Sequence, residues 1–396
     1  MDNKMTLRDW LPVVGLTFCA FVFNTSEFMP IGLLSDIAGD FNISEAKAGM
    51  LISVYAWMVA LLSLPLMLAV CRMEMKRLLL GIIVLFIASH VFSAVAMTYG
   101  WLMASRIGVA CAHSIFWSIA SPMAVRAVPE SKRAVALSTV AMGSSIAMVV
   151  GLPLGRVIGM YVGWRTTFFC IAVIATAIAL FIAIVFPKMP TRDTFSIRKM
   201  PALLRNRVLT GVFFVTVFFA TGHYVGYSYI EPFLGQIAHM GGDTVTLTLT
   251  IFGAAGALGS VIFSRFYPKR PLAFITVSIA CVAASLLALH AATAHFVYVV
   301  AVCIVWSAAA TAFNVAFQDT IIKNTSAEAT SIGMSIFSGL FNLGIGSGAF
   351  IGGAVVTHVS IAAIGYFGAA IAAIAALYFG LVVARHARKS KTVKAA

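Results

Sequence analysis

The chain has 396 residues, 61% of them hydrophobic and 10% charged, with a formal net charge of +14 and a mean hydropathy of +1.00. Soluble globular domains carry roughly 25% charged residues, so this composition excludes an ordinary soluble protein. Apolar stretches of about 20 residues suit helices crossing a ~30 Å hydrocarbon core, which predicts an all-α, multi-pass membrane protein.

Hydropathy, and the charges that interrupt it, predict twelve spans in chain order: 10–37, 46–70, 78–98, 100–124, 134–160, 164–186, 207–230, 244–266, 271–293, 296–320, 329–357 and 361–384. The first follows Lys4 and Arg8 and lacks a small-residue cleavage site, so it reads as a retained span. Basic residues then recur on alternate sides. Arg72, Lys76 and Arg77 follow the second span, Arg126, Lys132 and Arg133 the fourth, Arg265, Lys269 and Arg270 the eighth, and Lys323 the tenth. The positive-inside rule therefore predicts both termini in the cytoplasm. The positive balance reports orientation and implies no nucleic-acid partner. Asp36, Asp40, Glu45, Glu231 and Asp243 fall on the opposite side. Six cysteines without a CxxC pair imply no disulfide or metal framework.

Between the sixth and seventh spans the chain turns basic and prolyl, with Pro187, Pro190 and Pro201 among Lys and Arg. The predicted organisation is a six-helix half (1–186), a cytoplasmic linker (187–206), a second six-helix half (207–384) and a basic cytoplasmic tail (385–396). The halves echo one another. SEFMPIGLLSDIA from Ser26 overlays GYSYIEPFLGQIA from Gly226, which puts Glu27 opposite Tyr227, and Gly151 and Gly155 fall near Gly348 and Gly352. Parallel six-helix repeats of this kind predict a transporter with its substrate site between the halves.

Glu27 lies inside the first predicted span. A charge at bilayer depth costs roughly 2.5 to 3.5 kcal/mol on insertion scales, so such a residue faces a bundle interior or a water-filled path. Desolvation disfavours a carboxylate, which makes Glu27 a candidate proton carrier. His113, about halfway along the fourth span, is the second candidate, because imidazole titrates near pH 6.5. The first and fourth spans run in opposite directions, so the two groups fall at comparable depth; contact would couple their titrations. Arg106 precedes His113 by two helical turns on the same face. Its position alone admits a snorkelling or helix-clamping role.

Polar residues at helical spacing mark inward faces: Asn24 with Glu27; Thr311, Asn314 and Gln318; Ser331, Ser335, Ser338 and Asn342. Ser331 and Ser335 read as packing residues. The amides of Asn24 and Asn342, with Asn314 and Ser338 on the same stripes, are candidate substrate contacts. Phe23, Phe116 and Trp117 flank Glu27 and His113, Tyr227 stands one turn after His223, and Tyr55 lies in the second span. A polar and aromatic wall of this kind suits a sugar ring. Gly151, Pro153, Gly155, Gly348 and Gly352 are assigned to helix packing and gating. GxSxG, HExxH and P-loop patterns are absent, so no enzyme, metal or cofactor is expected.

Several stretches resemble the major facilitator superfamily, in particular its proton-driven drug and sugar efflux group: FVFNTSEFMPIGLLSDIA (Phe21 to Ala38), SRIGVACAHSIFWSIA (Ser105 to Ala120), GLPLGRVIG (Gly151 to Gly159), GWRTTFF (Gly163 to Phe169), YSYIEPF (Tyr227 to Phe233) and GLFNLGIGSGA (Gly339 to Ala349). The resemblance implies twelve helices in two pseudo-symmetric halves, protons as the coupling ion, and a role for Arg106 in proton transfer. Two signatures depart from the family pattern. The stretch after the second span reads CRMEMKRLLL, with Arg72 and Met75 where an Asp and a Gly are usual, and the fifth span carries Gly151-Leu152-Pro153-Leu154-Gly155. The expected function is proton-coupled antiport exporting sugars or sugar-like small polar solutes by alternating access. A multidrug or chloramphenicol-type antiporter and a purine nucleoside exporter are the alternatives. The expected partners are the small-molecule substrate and membrane lipids, with the carrier a monomer.

Overall fold

The computed structural model describes residues 6–70, 72–190, 205–325 and 330–385. Twelve of its helices are long and apolar enough to cross a membrane. Every predicted span is met by one of them. By internal contacts the chain forms two compact units, one of Met1–Asn42 with Leu61–Phe195, the other of Ile43–Ala60 with Ser196–Ala396. Residues 191–204 of the predicted linker and 386–396 of the predicted tail lie outside the described residues.

In the first unit the leading helix α1 (Leu7–Gly32) stops short of the predicted end, and a separate seven-residue helix α2 (Leu34–Asp40) follows. Pro30 supplies the reason. Proline has no N–H and clashes with the carbonyl four residues back, so the hydrogen-bond ladder fails here. The Ser26 carbonyl that it frees accepts from Arg106 Nη2 at 3.1 Å, and Gly32 O, at the end of α1, accepts from Arg156 Nη1 at 2.5 Å. Helix α3 (Glu45–Val70) crosses from the second unit to the first, and α4 (Met75–Ala94) and α5 (Tyr99–Arg126) complete this side. The predicted fifth span is not one uniform helix. A π turn at Ala147–Gly151 separates α6 (Arg133–Ile146) from α7 (Leu152–Val162), just ahead of Pro153, and α8 (Trp164–Val185) closes the unit.

The second unit repeats the plan. Helix α9 (Arg207–Tyr227) breaks before the seven-residue α10 (Ile230–Gln236), as α1 breaks before α2. Then come α11 (Gly242–Phe266), α12 (Pro271–Ala292), α13 (Phe296–Lys323), α14 (Thr330–His358) and α15 (Ile364–Tyr378). Glu45 and Gly242 begin equivalent helices, as do Met75 and Pro271, and Tyr99 and Phe296. This spacing of 196 to 197 residues corrects the sequence overlay by one helical turn. The overlay matched Ile37-Ala38 to Ile237-Ala238, but Ile237 already caps the end of α10, whereas Ile37 is inside α2. Glu27 is therefore equivalent to His223, not to Tyr227.

The glycine pairs make the same packing contact in each unit. A Cβ on Gly151 would overlap Thr25 Oγ1, and a Cβ on Gly348 would lie 2.5 Å from Thr221 O and 2.8 Å from Tyr224 Cβ. Gly155 meets Met29 and Gly352 meets Val225 and Tyr229 in like manner. Only a residue without a side chain lets α1 approach α7, and α9 approach α14, this closely. Pro153 is buried beside the first of these pairs.

Candidate functional site

Each unit carries a buried polar cluster on its first helix. In the first, Glu27 Oε2 on α1 lies 3.6 Å from His113 Nε2 on α5, with side chains 9% and 3% exposed. The separation is within ion-pair reach and longer than a hydrogen bond. Arg106, two turns from His113, is fully buried rather than snorkelling. Its Nη1 donates to Ser26 Oγ at 3.3 Å and its Nη2 to Ser26 O, the carbonyl that Pro30 leaves unpaired. Ser26 precedes Glu27, so the guanidinium is anchored on the turn of α1 that carries the carboxyl. Arg106 thus clamps α5 to α1 at the site itself.

Behind Ser26 stands His90 on α4, also fully buried, with Nε2 2.8 Å from Ser26 Oγ and Nδ1 3.0 Å from Phe86 O. Neither Ser26 nor His90 was among the sequence candidates, although His90 is an ionisable residue inside the third predicted span. Phe23 is sandwiched between Phe86 at 4.2 Å and Phe116 at 4.4 Å, and both Phe23 and Phe116 are core residues. Trp117 is half-buried, 6.1 Å from His113 between ring centroids. Asn24, 9% exposed, sits one turn before Glu27.

In the second unit His223 on α9 accepts a hydrogen bond at Nδ1 from Trp306 Nε1 on α13, at 2.9 Å. An N–H donor at Nδ1 requires a lone pair there, so the neutral ring carries its proton on Nε2. Tyr227 stacks on His223 at 5.4 Å and on Phe252 at 4.9 Å, and Trp306 stands edge-on to both His223 and Phe252. Sequence reading passed over Trp306, which is wholly buried. Asn314 Oδ1 accepts from Gln318 Nε2 at 2.6 Å along α13. On α14, Asn342 Nδ2 donates to Ser338 O at 3.1 Å, which leaves its Oδ1 buried without a hydrogen-bond partner among the described residues. Tyr55 is buried and groups with this unit, and the side chain of Ser331 lies outside the described residues.

Two polar clusters in equivalent helices of a twelve-span repeat are found together with a sequence match. The profile of the Major Facilitator Superfamily matches residues 16–333. The chain belongs to the major facilitator superfamily. It is 41% identical over 389 residues to a protein of Mannheimia succiniciproducens named "Probable sugar efflux transporter", a match covering 98% of each chain. Among solved structures, this facilitator superposes on a bacterial homologue of the human lysosomal transporter Spinster with a TM-score of 0.72 at 15% identity, over 96% of this chain and 98% of the other. It superposes on the human organic anion transporter MFSD10 with a TM-score of 0.71 at 12% identity, over 95% and 100%. At such identities the likeness is one of fold. The chain is a membrane transporter and no enzyme.

The unusual facilitator signature after α3 has its own hydrogen bonding. Glu74 accepts from the backbone N–H groups of Lys76 and Arg77, capping α4, and from Met189 N at 2.6 Å. Met75 N donates to Met189 O and Arg126 Nη2 to Pro190 O at 2.6 Å, so the described start of the linker is tied to the first unit. Burial pushes the Glu74 carboxyl up, but these three N–H groups and the Arg77 charge outweigh it and hold it below the usual carboxylate range.

Proposed function

We propose that this facilitator exports a sugar or sugar-like small polar solute across a bacterial inner membrane in exchange for protons, with both termini cytoplasmic. The observation that carries the reading is the buried Glu27 and His113 pair at 3.6 Å, clamped by Arg106. A carboxylate there is held by two potential cations. A proton arriving from outside neutralises it, releases His113 and weakens the hold of Arg106; loss of that proton inside restores the pair. One proton crossing 100 mV supplies roughly 2.3 kcal/mol, and each pH unit adds about 1.4 kcal/mol.

The name borne by the Mannheimia relative supports a sugar as substrate. So does the chemistry of the second unit, where the unpartnered Asn342 carbonyl would accept a hydroxyl and His223 Nε2–H would donate to one. Asn24, Asn314, Ser338, Tyr55, Trp117 and Tyr227 are proposed as further contacts. The rings about His223 would equally take an aromatic drug or a purine nucleoside, so the substrates must be compared directly. In proteoliposomes under an imposed pH gradient, the wild type is expected to move labelled arabinose or a thiogalactoside. Glu27→Gln is expected to keep exchange of substrate without a gradient and to lose gradient-driven movement. Wild-type gradient-driven flux in Glu27→Gln would remove the coupling role; movement of chloramphenicol or a nucleoside but no sugar would transfer the mechanism to those substrates.

A further inference from the structure

His90 belongs to none of the groups that bear directly on proton or substrate, yet it is held by two hydrogen bonds with fixed direction. Phe86 O can only accept, so Nδ1, 3.0 Å away, carries a hydrogen. In the neutral ring Nε2 is then a lone pair, and the Ser26 hydroxyl at 2.8 Å must donate to it. With its hydrogen committed, Ser26 Oγ presents its lone pairs to Arg106 Nη1 at 3.3 Å. The chain therefore runs one way, from Arg106 through Ser26 and His90 to Phe86 O. All three side chains are fully buried, so no water competes for these bonds.

Among the described residues the imidazole has no other hydrogen-bond partner. From α1 it meets Ser26 and from its own helix the Phe86 ring, stacked at 4.2 Å; from α8 it meets Phe168 at 6.0 Å. Among the described residues, the charged and titratable side chains of this cluster are Arg106 and His113 from α5 and Glu27 from α1; Arg165 of α8 is engaged elsewhere, by Asp40 and Ala96 O. A cationic His90 would turn Nε2 into a donor and leave the Ser26 hydrogen without an acceptor. Arg106 holds Ser26 by two bonds of different origin. The bond to Ser26 O follows from Pro30, whereas the bond to Ser26 Oγ depends on His90.

We propose that His90 is a positioning residue of the coupling site: by accepting the Ser26 hydroxyl it fixes the oxygen that Arg106 binds, and so sets the guanidinium against the turn of α1 that carries Glu27. This rests on the reading of Glu27 as the coupling carboxyl. Without His90 the hydroxyl rotates toward the backbone, as serine and threonine hydroxyls in helices do. Arg106 then keeps one of its two bonds to Ser26, and coupling suffers while substrate binding does not.

The test uses the full-length protein in proteoliposomes, with a labelled thiogalactoside as probe. His90→Leu and Ser26→Ala are each expected to lower gradient-driven flux about tenfold, the worth of one charge-assisted hydrogen bond, and to displace its pH profile. The half-saturation constant for exchange without a gradient should stay within about twofold of wild type. The double variant should be no worse than either single one, because both break the same chain. His90→Gln, whose amide oxygen can accept from Ser26, should recover at least half of the flux. Multiplying losses in the double variant, an equal loss of gradient-free exchange, or an undisplaced pH profile would overturn the inference. A separate measurement reads the ring directly: nitrogen spectra of histidine-labelled protein should show His90 protonated at Nδ1 and bare at Nε2, and an imidazolium or an Nε2–H ring would equally overturn it. If Glu27→Gln alone keeps wild-type gradient-driven flux, the coupling reading fails, while the tautomer and the double variant still decide for or against the His90 chain.

Discussion

Glu27 and His223 hold the same position in the two repeats, Glu27 seven residues ahead of Leu34 at the start of α2, and His223 seven ahead of Ile230 at the start of α10. Each is met by a side chain from the fourth span of its own repeat, Glu27 by His113 on α5 and His223 by Trp306 on α13. One copy of the fold has thus placed an acid and a base where the other has a neutral imidazole locked by an indole. The first arrangement can exchange a proton; the second is suited to offer a substrate a hydrogen bond of fixed sense.

His113→Gln is expected to reduce gradient-driven flux on the scale of Glu27→Gln, and the double variant to fall no further. Groups that titrate as a pair give non-additive losses. Flux measured against pH in the two single variants and the double one checks this, and independent, multiplying losses would separate the two residues.

Trp306→Phe removes the donor to His223 Nδ1 while keeping an aromatic ring in the buried site, at the cost of a small cavity. The freed imidazole can adopt either tautomer, so the half-saturation constant for sugar should rise by about fivefold to tenfold, equivalent to roughly one hydrogen bond. The response to the pH gradient should persist, because the first unit is untouched. Paired measurements of half-saturation and maximal rate distinguish this from simple loss of folded protein.

Gly348→Ala should destabilise the protein by about 1 to 3 kcal/mol, since its Cβ meets the backbone of α9, which cannot rotate away. Gly81→Ala in α4 is the control. Nothing lies within 4 Å of a Cβ there, and alanine is the better helix former by roughly 1 kcal/mol. Thermal unfolding in detergent should show the first variant well below wild type and the second at or above it.

Glu74→Gln probes the tie between α4 and Met189. The folded-state carboxyl titrates below its ordinary value, so its contribution is fully present above about pH 4.5 and is lost as pH falls through the lower folded value. The difference in unfolding temperature between wild type and variant should be constant from neutral pH to about 5 and close as the solution becomes more acidic. A difference that grew on acidification would contradict the sign of this shift.

Hydropathy and charge alternation in the sequence determined the twelve spans, because a membrane helix satisfies its backbone within one continuous segment and must be apolar along its own length. The same local logic brought out Glu27 and His113 as charges at depth. Pro30 stands in the sequence, but neither the serine carbonyl that it leaves unpaired nor the donor that fills it was among the readings drawn from it. The helix break was likewise missed, since residues 10 to 37 form one predominantly apolar segment and a proline can either bend a helix or end it. The register of the repeat was misplaced by a turn because low identity cannot locate a break that only the backbone shows. What the tertiary structure alone decided are the partners: Ser26 with His90 across 64 residues, Arg106 with Ser26 across 80, Trp306 with His223 across 83, and Arg156 with Gly32 across 124. Such bonds join side chains on different helices, and their pairing depends on helix rotation and approach, set by glycine contacts such as Gly151 on Thr25 and Gly348 on Thr221. A single chain read in order carries the donors and acceptors, but it does not carry the distances between them.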